Sequence, residues 1–355
     1  MYIKELTLNN FRNYYQSSLS FDKNVTVIIG KNGVGKTNIL ESIYLLTFGK
    51  SWKSLYDKDV ISLNKNYCNI KAVIKNSKTT NLFIGIEQSL GNNCKKVFKV
   101  NEVKKSLKNF SQELKSITFS PNDLEIILLS PTVRRNFLNE VLFQTDEKYK
   151  EHIIKLTKIV TARNKILKRI KEGFSSYQEC EYYNNQLVEI SKYIQQKREE
   201  LVEYTNTFLL QNFNIFSNSK SQAKIVYKKN EVTHAKLNEY KEIEIMAKKS
   251  LFGAQKDDFE ILFIKNNQTT NAKYFASRGE QRSITFVLKL GALNFIQKVT
   301  GSNLVLLLDD IYSELDELHR KAIGQFISVN QTIITTAEKN LVPEEIMDKA
   351  KIIEL

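Results

Sequence analysis

The chain has 355 residues, 42% of them apolar and 26% charged, with only 3 prolines, a composition that suits a folded soluble protein rather than a disordered one. Its 53 Lys plus Arg outnumber 39 Asp plus Glu, for a net charge of +14, which argues for a polyanionic partner or simply for solubility. Cys68, Cys94 and Cys180 are far apart and lack paired ligand spacing, which argues against a disulfide framework or zinc site and favours a reducing compartment, with a cytoplasmic setting expected. No charged start leads into an apolar run, and no uncharged stretch approaches 20 residues, so neither secretion nor membrane spanning is expected. The charge is uneven: the surplus is +10 over residues 1–140, +6 over 141–250 and −2 over 251–355. At this length one large domain or two smaller ones are equally natural, and about three quarters of the unfolded surface is buried without staples.

In chain order, Tyr2 to Leu8 alternates as a strand, and Val25 to Ile29 is a β-branched run that breaks at Gly30. Helical spacing follows from Ile39 to Phe48. Between Tyr67 and Val103, short alternating stretches punctuated by Asn, Ser and Gly predict an antiparallel meander. Ser130, Pro131 and Thr132 mark a helix start. Residues 147–172 and 177–210 carry the longest helical patterns. The first has a stripe of Ile153, Leu156, Val160, Leu167, Ile170 and Phe174, interrupted by Arg163. The second has Cys180, Tyr183, Leu187, Ile190, Ile194, Leu201, Tyr204 and Phe208. With Gly173, Ser175 and Ser176 between them, the two predict an antiparallel helical hairpin packed like a coiled coil. Lys155, Lys158, Lys165 and Arg169 lie roughly 200° round the first helix from stripe positions, forming a basic outer face open to nucleic acid or to solvent. Strand runs return at Leu304 to Leu308, Thr332 to Ile334 and Ile352 to Leu355. The whole reads as α/β, one composite head (1–135 and 250–355) interrupted by a helical lobe at 135–250.

Two segments carry chemistry. Gly30, Lys31, Asn32, Gly33, Val34, Gly35, Lys36 and Thr37 match GxxxxGK[ST] between a strand and a helix. Glycines let the backbone wrap a phosphate, Lys36 neutralises the β and γ groups of ATP, and Thr37 holds Mg2+. The apolar run Leu304 to Leu308 ends in Asp309 and Asp310, and adjacent buried acids repel unless a cation or proton compensates. Asp309 is therefore the expected outer magnesium ligand and Asp310 the group that polarises the attacking water.

Ser277, Arg278, Gly279, Glu280 and Gln281, just before the helical run Ile284 to Phe295, resemble the LSGGQ signature of ABC-type ATPases, with Arg278 and Glu280 departing. That resemblance implies that Ser277, Gly279, Glu280 and Gln281 meet the γ-phosphate held by a second copy. Ser313, Glu314, Leu315 and Asp316 resemble the family's D-loop, with Ser313 and Asp316 at the shared interface. Asn10 to Tyr14, Phe119 to Leu124 and Arg134 to Leu138, together with these motifs and Leu306 to Asp316, make nearly the whole chain resemble the RecF family of SMC-like ATPases. The resemblance implies an ABC-type head with a mixed sheet and an inserted helical lobe. It further implies ATP-driven homodimerisation on DNA at single-strand/double-strand junctions, slow hydrolysis for release, and Arg12 near the nucleotide. Partners RecR and RecO, loading of RecA and the SOS response follow from the same likeness. The chain departs from the family at Asn139, where Asp is common, at Gly253 to Asp258 (GAQKDD for the usual GPHRDD), and at Thr335 to Glu338 in the switch-histidine region. Three other readings stand beside it: a transporter ATPase, an ATP-gated nuclease and a structural clamp with negligible hydrolysis. The 244 residues between Gly35 and Gly279, and Asp310 in place of a glutamate, weigh against the transporter. The nuclease would need a further cluster of metal-binding acids.

Overall fold

A computed structural model describes residues 1–89, 93–216 and 221–355. Contacts divide the chain into two units, Met1–Asp123 with Ile296–Leu355, and Leu124–Phe295.

The first unit holds two sheets. Strands β1 (Tyr2–Phe11), β2 (Tyr14–Ser20), β4 (Tyr67–Lys75), β5 (Thr79–Gln88), β6 (Cys94–Val100) and β7 (Val103–Lys105) form an antiparallel sheet in the order β2-β1-β4-β5-β6-β7. Their side chains alternate between buried and more exposed, which is how a sheet with one face on a core reads. A parallel sheet has the order β14-β3-β13-β12-β8, from β3 (Val25–Ile29), β8 (Ser116–Phe119), β12 (Val305–Asp309), β13 (Gln331–Thr336) and β14 (Lys351–Glu354). Strands β12 and β13 are buried at every residue, the pattern of a sheet covered on both faces.

The helix Lys36–Phe48 touches strands of both sheets, and its Ile39, Leu40, Ile43, Leu45 and Leu46 are almost wholly buried. A helix apolar nearly all round belongs in a core, and this one shares a cluster with Leu6, Ile70, Ile84, Val305 and Ile333. The Gln331 side chain works as a surrogate strand: its Oε1 accepts from Ile3 N (2.7 Å) while its Nε2 donates to Ile3 O (2.7 Å) and Asp22 O (2.8 Å). This satisfies backbone groups that burial would otherwise leave orphaned.

The second unit contains the helices Pro131–Thr145, Glu147–Lys171 and Glu181–Phe216, and the antiparallel sheet β11-β10-β9 from β9 (Ser221–Lys228), β10 (Asp258–Lys265) and β11 (Gln268–Asn271). The two long helices pack along each other, joined through Gly173 at φ +79° and a 3-10 turn at Tyr177–Cys180. Two details differ from the sequence reading. Arg163 does not interrupt the buried stripe. It is fully buried, donating to Asn184 Oδ1 (2.7 Å) and Ser250 Oγ (2.9 Å) and ion-paired with Glu244. Phe174, expected in the stripe, is 73% exposed because the helix has ended before it. The unit boundary also lies outside the expected lobe 135–250: β10 pairs with β9 from Asp258↔Lys228 to Lys265↔Ser221, which ties residues beyond 250 to the helical unit. The sequence reading assigns no strand at 221–228.

Candidate nucleotide-binding site

Strand β3 delivers the chain to Gly30, and the helix starts at Lys36 with Gly35 as N-cap at φ +114°. Glycine is required at 35 twice over: the left-handed backbone excludes most side chains, and a Cβ there would lie 2.5 Å from Asn13 Nδ2 and 2.8 Å from Tyr14 Oη. Asn13 in turn donates to Val34 O (2.8 Å) and accepts from Asn38 Nδ2 (2.9 Å), so the turn between β1 and β2 braces the loop. Lys36 Nζ donates to the carbonyls of Gly30 (2.6 Å) and Lys31 (3.1 Å). No acidic residue stands in the helix's first turn, which leaves its N–H groups and dipole for an anion.

Asp309 is the last residue of β12 and is buried. Its Oδ1 accepts from Thr37 Oγ1 at 2.9 Å and from Thr335 Oγ1 at 2.8 Å, which fixes the carboxylate beside the phosphate-loop hydroxyl. Burial pushes the Asp309 carboxyl above its ordinary range. The two threonine hydrogen bonds and the Lys53 ammonium pull it back, and Asp310 adds to the rise. Asp310 takes the left-handed conformation at φ +50°, held by its N–H donating to Thr335 O and Oγ1, both at 3.1 Å. Its Oδ1 is buried without a hydrogen-bond partner, an exposed cost at a strained residue of the kind that functional sites retain. Thr37 and Asp309 offer hard oxygen donors at one point. That suits a magnesium ion held by one carboxylate and a hydroxyl, with substrate phosphates completing its shell.

Arg12, at φ +52°, is not a surface arginine. Its Nε and Nη2 grip both oxygens of buried Glu41 (3.0 and 2.6 Å) and its Nη1 donates to Asp59 O (2.6 Å). In the second unit, Ser277 N donates to Glu280 Oε2 (2.8 Å) and Glu280 N to Ser277 Oγ (3.3 Å), a reciprocal capping box opening the helix Arg278–Thr300. Burial raises the Glu280 carboxyl, but its bonds from Lys265 and Ser277 outweigh this and leave it below the usual range. Buried Gln281 donates to Ala272 O (3.1 Å) and Lys273 O (3.2 Å), and Gly279 has open space at its missing Cβ.

Residues 2–353 match the RecF/RecN/SMC N-terminal domain family. The DNA replication and repair protein RecF of Clostridium botulinum (strain Eklund 17B / Type B) is 33% identical over 99% of this chain and 97% of its own length. The chain belongs to the RecF family. The RecF of Bacillus cytotoxicus is 31% identical over 99% of the chain and 96% of that protein. A solved structure of the recombination mediator protein RecF-ATP in the RecFOR pathway superposes with a TM-score of 0.86 at 28% identity, covering 95% of this chain and 92% of that one. The Smc head domain of Pyrococcus furiosus shares the fold, with a TM-score of 0.55 at 17% identity over 99% of this chain and 93% of that one. The fold is thus the ABC-type ATPase head of RecF and SMC proteins, with its long helices in a second unit.

On this RecF-family head the remaining expected residues fall as follows. Ser313 Oγ donates to Asp310 O (2.6 Å), and Asp316 caps the helix Glu317–Ile327 by accepting from His319 N (3.0 Å). Lys155, Lys158 and Lys165 are exposed on the second unit, as is Arg169, which spends part of its guanidinium on Phe174 O (3.2 Å). Three site residues escape the sequence reading. Thr335 is named there only as part of a departure, yet as the register partner of Asp309 on β13 it orients both acids. Glu41 anchors Arg12, with Ser51 also donating to it. Lys53 donates to Asn38 Oδ1 (3.1 Å); burial lowers its pKa, while Glu41 and Asp309 hold it up. A β-strand neighbour leaves a readable signal only once the strand pairing is known.

Proposed function

We propose that the chain is an ATP-switched DNA clamp of replication and recombinational repair. ATP with Mg2+ is held by Gly30 to Thr37 of one copy and capped by Ser277 to Gln281 of a second, so that nucleotide joins two copies around DNA and hydrolysis releases them. The observation that carries this reading is the 2.9 Å bond from Thr37 Oγ1 to Asp309 Oδ1, which converges phosphate loop and strand-end acid, 272 residues apart in sequence, on one point. Magnesium bound there supplies charge neutralisation for the phosphates. The chain's own residues do the rest. Lys36 leaves the Gly30 and Lys31 carbonyls for the β and γ oxygens, and the Gly35-capped helix lends its N–H groups. The unpartnered Asp310 Oδ1 accepts a hydrogen from the attacking water and orients it.

Nucleotide acts as a switch because it contacts the second copy only in the joined state, shifting that equilibrium by its differential affinity. The +16 surplus of the first 250 residues fits a phosphate backbone as ligand, with steep salt dependence and little base readout. The solved relative's place in the RecFOR pathway supports RecR and RecO as partners; RecA loading, the SOS response, a cytoplasmic setting and a slow ATPase belong to the same reading through the family resemblance. Among the described residues no helix is long and apolar enough to cross a membrane. The test is sedimentation of the purified chain alone, with ATP, and with ATP plus a gapped duplex. A mass doubling with ATP and a further shift with DNA is expected; a monomer under all three conditions overturns the reading.

A further inference from the structure

The second unit carries a cavity of about 250 Å³ that the nucleotide site does not use. Its wall is Ile153, Leu156 and Val160 from the helix Glu147–Lys171, and its polar edge is Arg135, Asn136, Asn139 and Gln255. Three arginines surround Asp257 and Asp258. Arg134 pairs with Asp258 and Arg198 with Asp257, but Arg135 spends its two terminal nitrogens on neutral oxygens, Asp257 O (2.8 Å) and Thr132 Oγ1 (3.0 Å). Among the described residues it forms no direct ion pair; burial and the neighbouring Arg198 charge lower its pKa, while the Asp258 and Asp257 carboxylates hold it up. It is a half-buried cation whose nearest carboxylates are each already paired with another arginine.

The amides on the same edge are also underused. Asn139 Oδ1 accepts from Tyr149 Oη (2.6 Å) and Arg198 Nη2 (3.1 Å), which fixes the amide; among the described residues its Nδ2 and the exposed Asn136 side chain have no hydrogen-bond partner. Gln255 donates to Phe252 O (2.7 Å), and its Oε1 is buried without a partner. Asn139 and Gln255, 116 residues apart in sequence, meet at one cavity.

We propose that this cavity binds a nucleotide, its base against Ile153, Leu156 and Val160 with the amides on its edge, and its phosphate on Arg135. The volume falls just below the roughly 300–1,000 Å³ of drug-sized pockets, so one flat heterocycle fits and a peptide segment does not. An apolar wall with amide donors and acceptors at the rim is what a base's faces and edges need. The ligand's source is a free mononucleotide or one unit of a DNA strand. For the second source the inference rests on the proposed function, with exposed Lys155 and Lys158 on the same helix to hold flanking phosphates.

The test uses the full chain with Lys36→Ala, so that the phosphate loop is silent, and three probes: a single-stranded 12-mer carrying one 2-aminopurine, dAMP, and inorganic phosphate. We expect the 2-aminopurine emission to change on binding, Arg135→Gln to weaken the 12-mer about tenfold, and the exposed Thr161→Trp at the rim and Val160→Trp in the wall to abolish the emission change. Thr161→Trp keeps the test valid where Val160→Trp fails to fold. If the 12-mer binds but its emission and affinity ignore both tryptophans, the cavity is not a base site and the proposal falls while DNA binding stands. If the 12-mer does not bind at low salt, a DNA strand is excluded as the cavity's ligand, while the ATP-joined clamp stands apart because Lys36→Ala cannot join. Then dAMP binding sensitive to Arg135→Gln upholds the cavity as a site for free nucleotide, and no dAMP binding overturns it. Phosphate competing as well as dAMP also overturns it, leaving an anion site without a base.

Discussion

At Asp309 the cost of burying a charge meets the need for one. A carboxyl raised by burial contributes to folding fully below about pH 4, where the unfolded group is still protonated, and loses that contribution as pH rises through its raised folded value. The charged form is therefore a burden on the nucleotide-free protein at neutral pH. Asp309→Asn should raise the melting temperature without nucleotide at pH 7.5 by about 2–4 °C, and should cancel the further rise that ATP with Mg2+ gives the wild type. A thermal melt with and without Mg2+·ATP checks both halves. At Lys36 and Asp310 the expectations separate binding from turnover. Lys36→Ala should abolish ATP binding in a filter or calorimetric assay, whereas Asp310→Asn should bind ATP and accumulate as a dimer, with hydrolysis reduced about 100-fold or more. Equal hydrolysis by wild type and Asp310→Asn would remove the water-orienting role.

The elements show where local pattern sufficed and where it failed. Val25–Ile29, the helix through Phe48 and the meander of β4 to β7 were legible because each obeys a period that its own residues display. The phosphate loop was legible because its chemistry is contiguous. Thr335, Glu41 and the role of Arg163 were not, because each acts through a partner 21 to 87 residues away or across a strand pairing. Arg163 looked like a flaw in an apolar stripe; only the fold brings it Asn184, Glu244 and Ser250. Removing it leaves Glu244 buried and unpaired, so Arg163→Leu should cost about 3–5 kcal/mol in urea unfolding of the second unit. The S-x-x-E pattern at Ser277 and Glu280 was readable as a capping box but was overshadowed by the signature likeness. Glu280→Ala should cost about 1 kcal/mol of helix stability, and a larger effect on ATP-dependent pairing than on melting would show that the cap also presents Ser277.

Over the whole molecule, charge is the property that sequence reports well in amount and poorly in place. The long helix Glu147–Lys171 does carry Lys155, Lys158 and Lys165 on its exposed side. Reversing all three to Glu should weaken DNA binding at low salt and flatten the plot of log affinity against log salt by about three units of slope or less, one per lost phosphate contact. An unchanged slope would acquit this face and move the DNA path elsewhere. Unit boundaries were less legible than charge, since the pairing of β9 with β10 spans a segment whose composition gives no sign of a change in lobe.

The parallel sheet draws β3 and β8 from the first third of the chain and β12, β13 and β14 from its last fifty-odd residues, and Thr37 waits for Asp309 and Thr335. During translation the phosphate loop therefore leaves the ribosome long before the strands that flank it. A nascent or prematurely terminated polypeptide, however well its N-terminal meander has folded, lacks the buried carboxylate and the threonine hydroxyl that sit beside Thr37 in the finished fold.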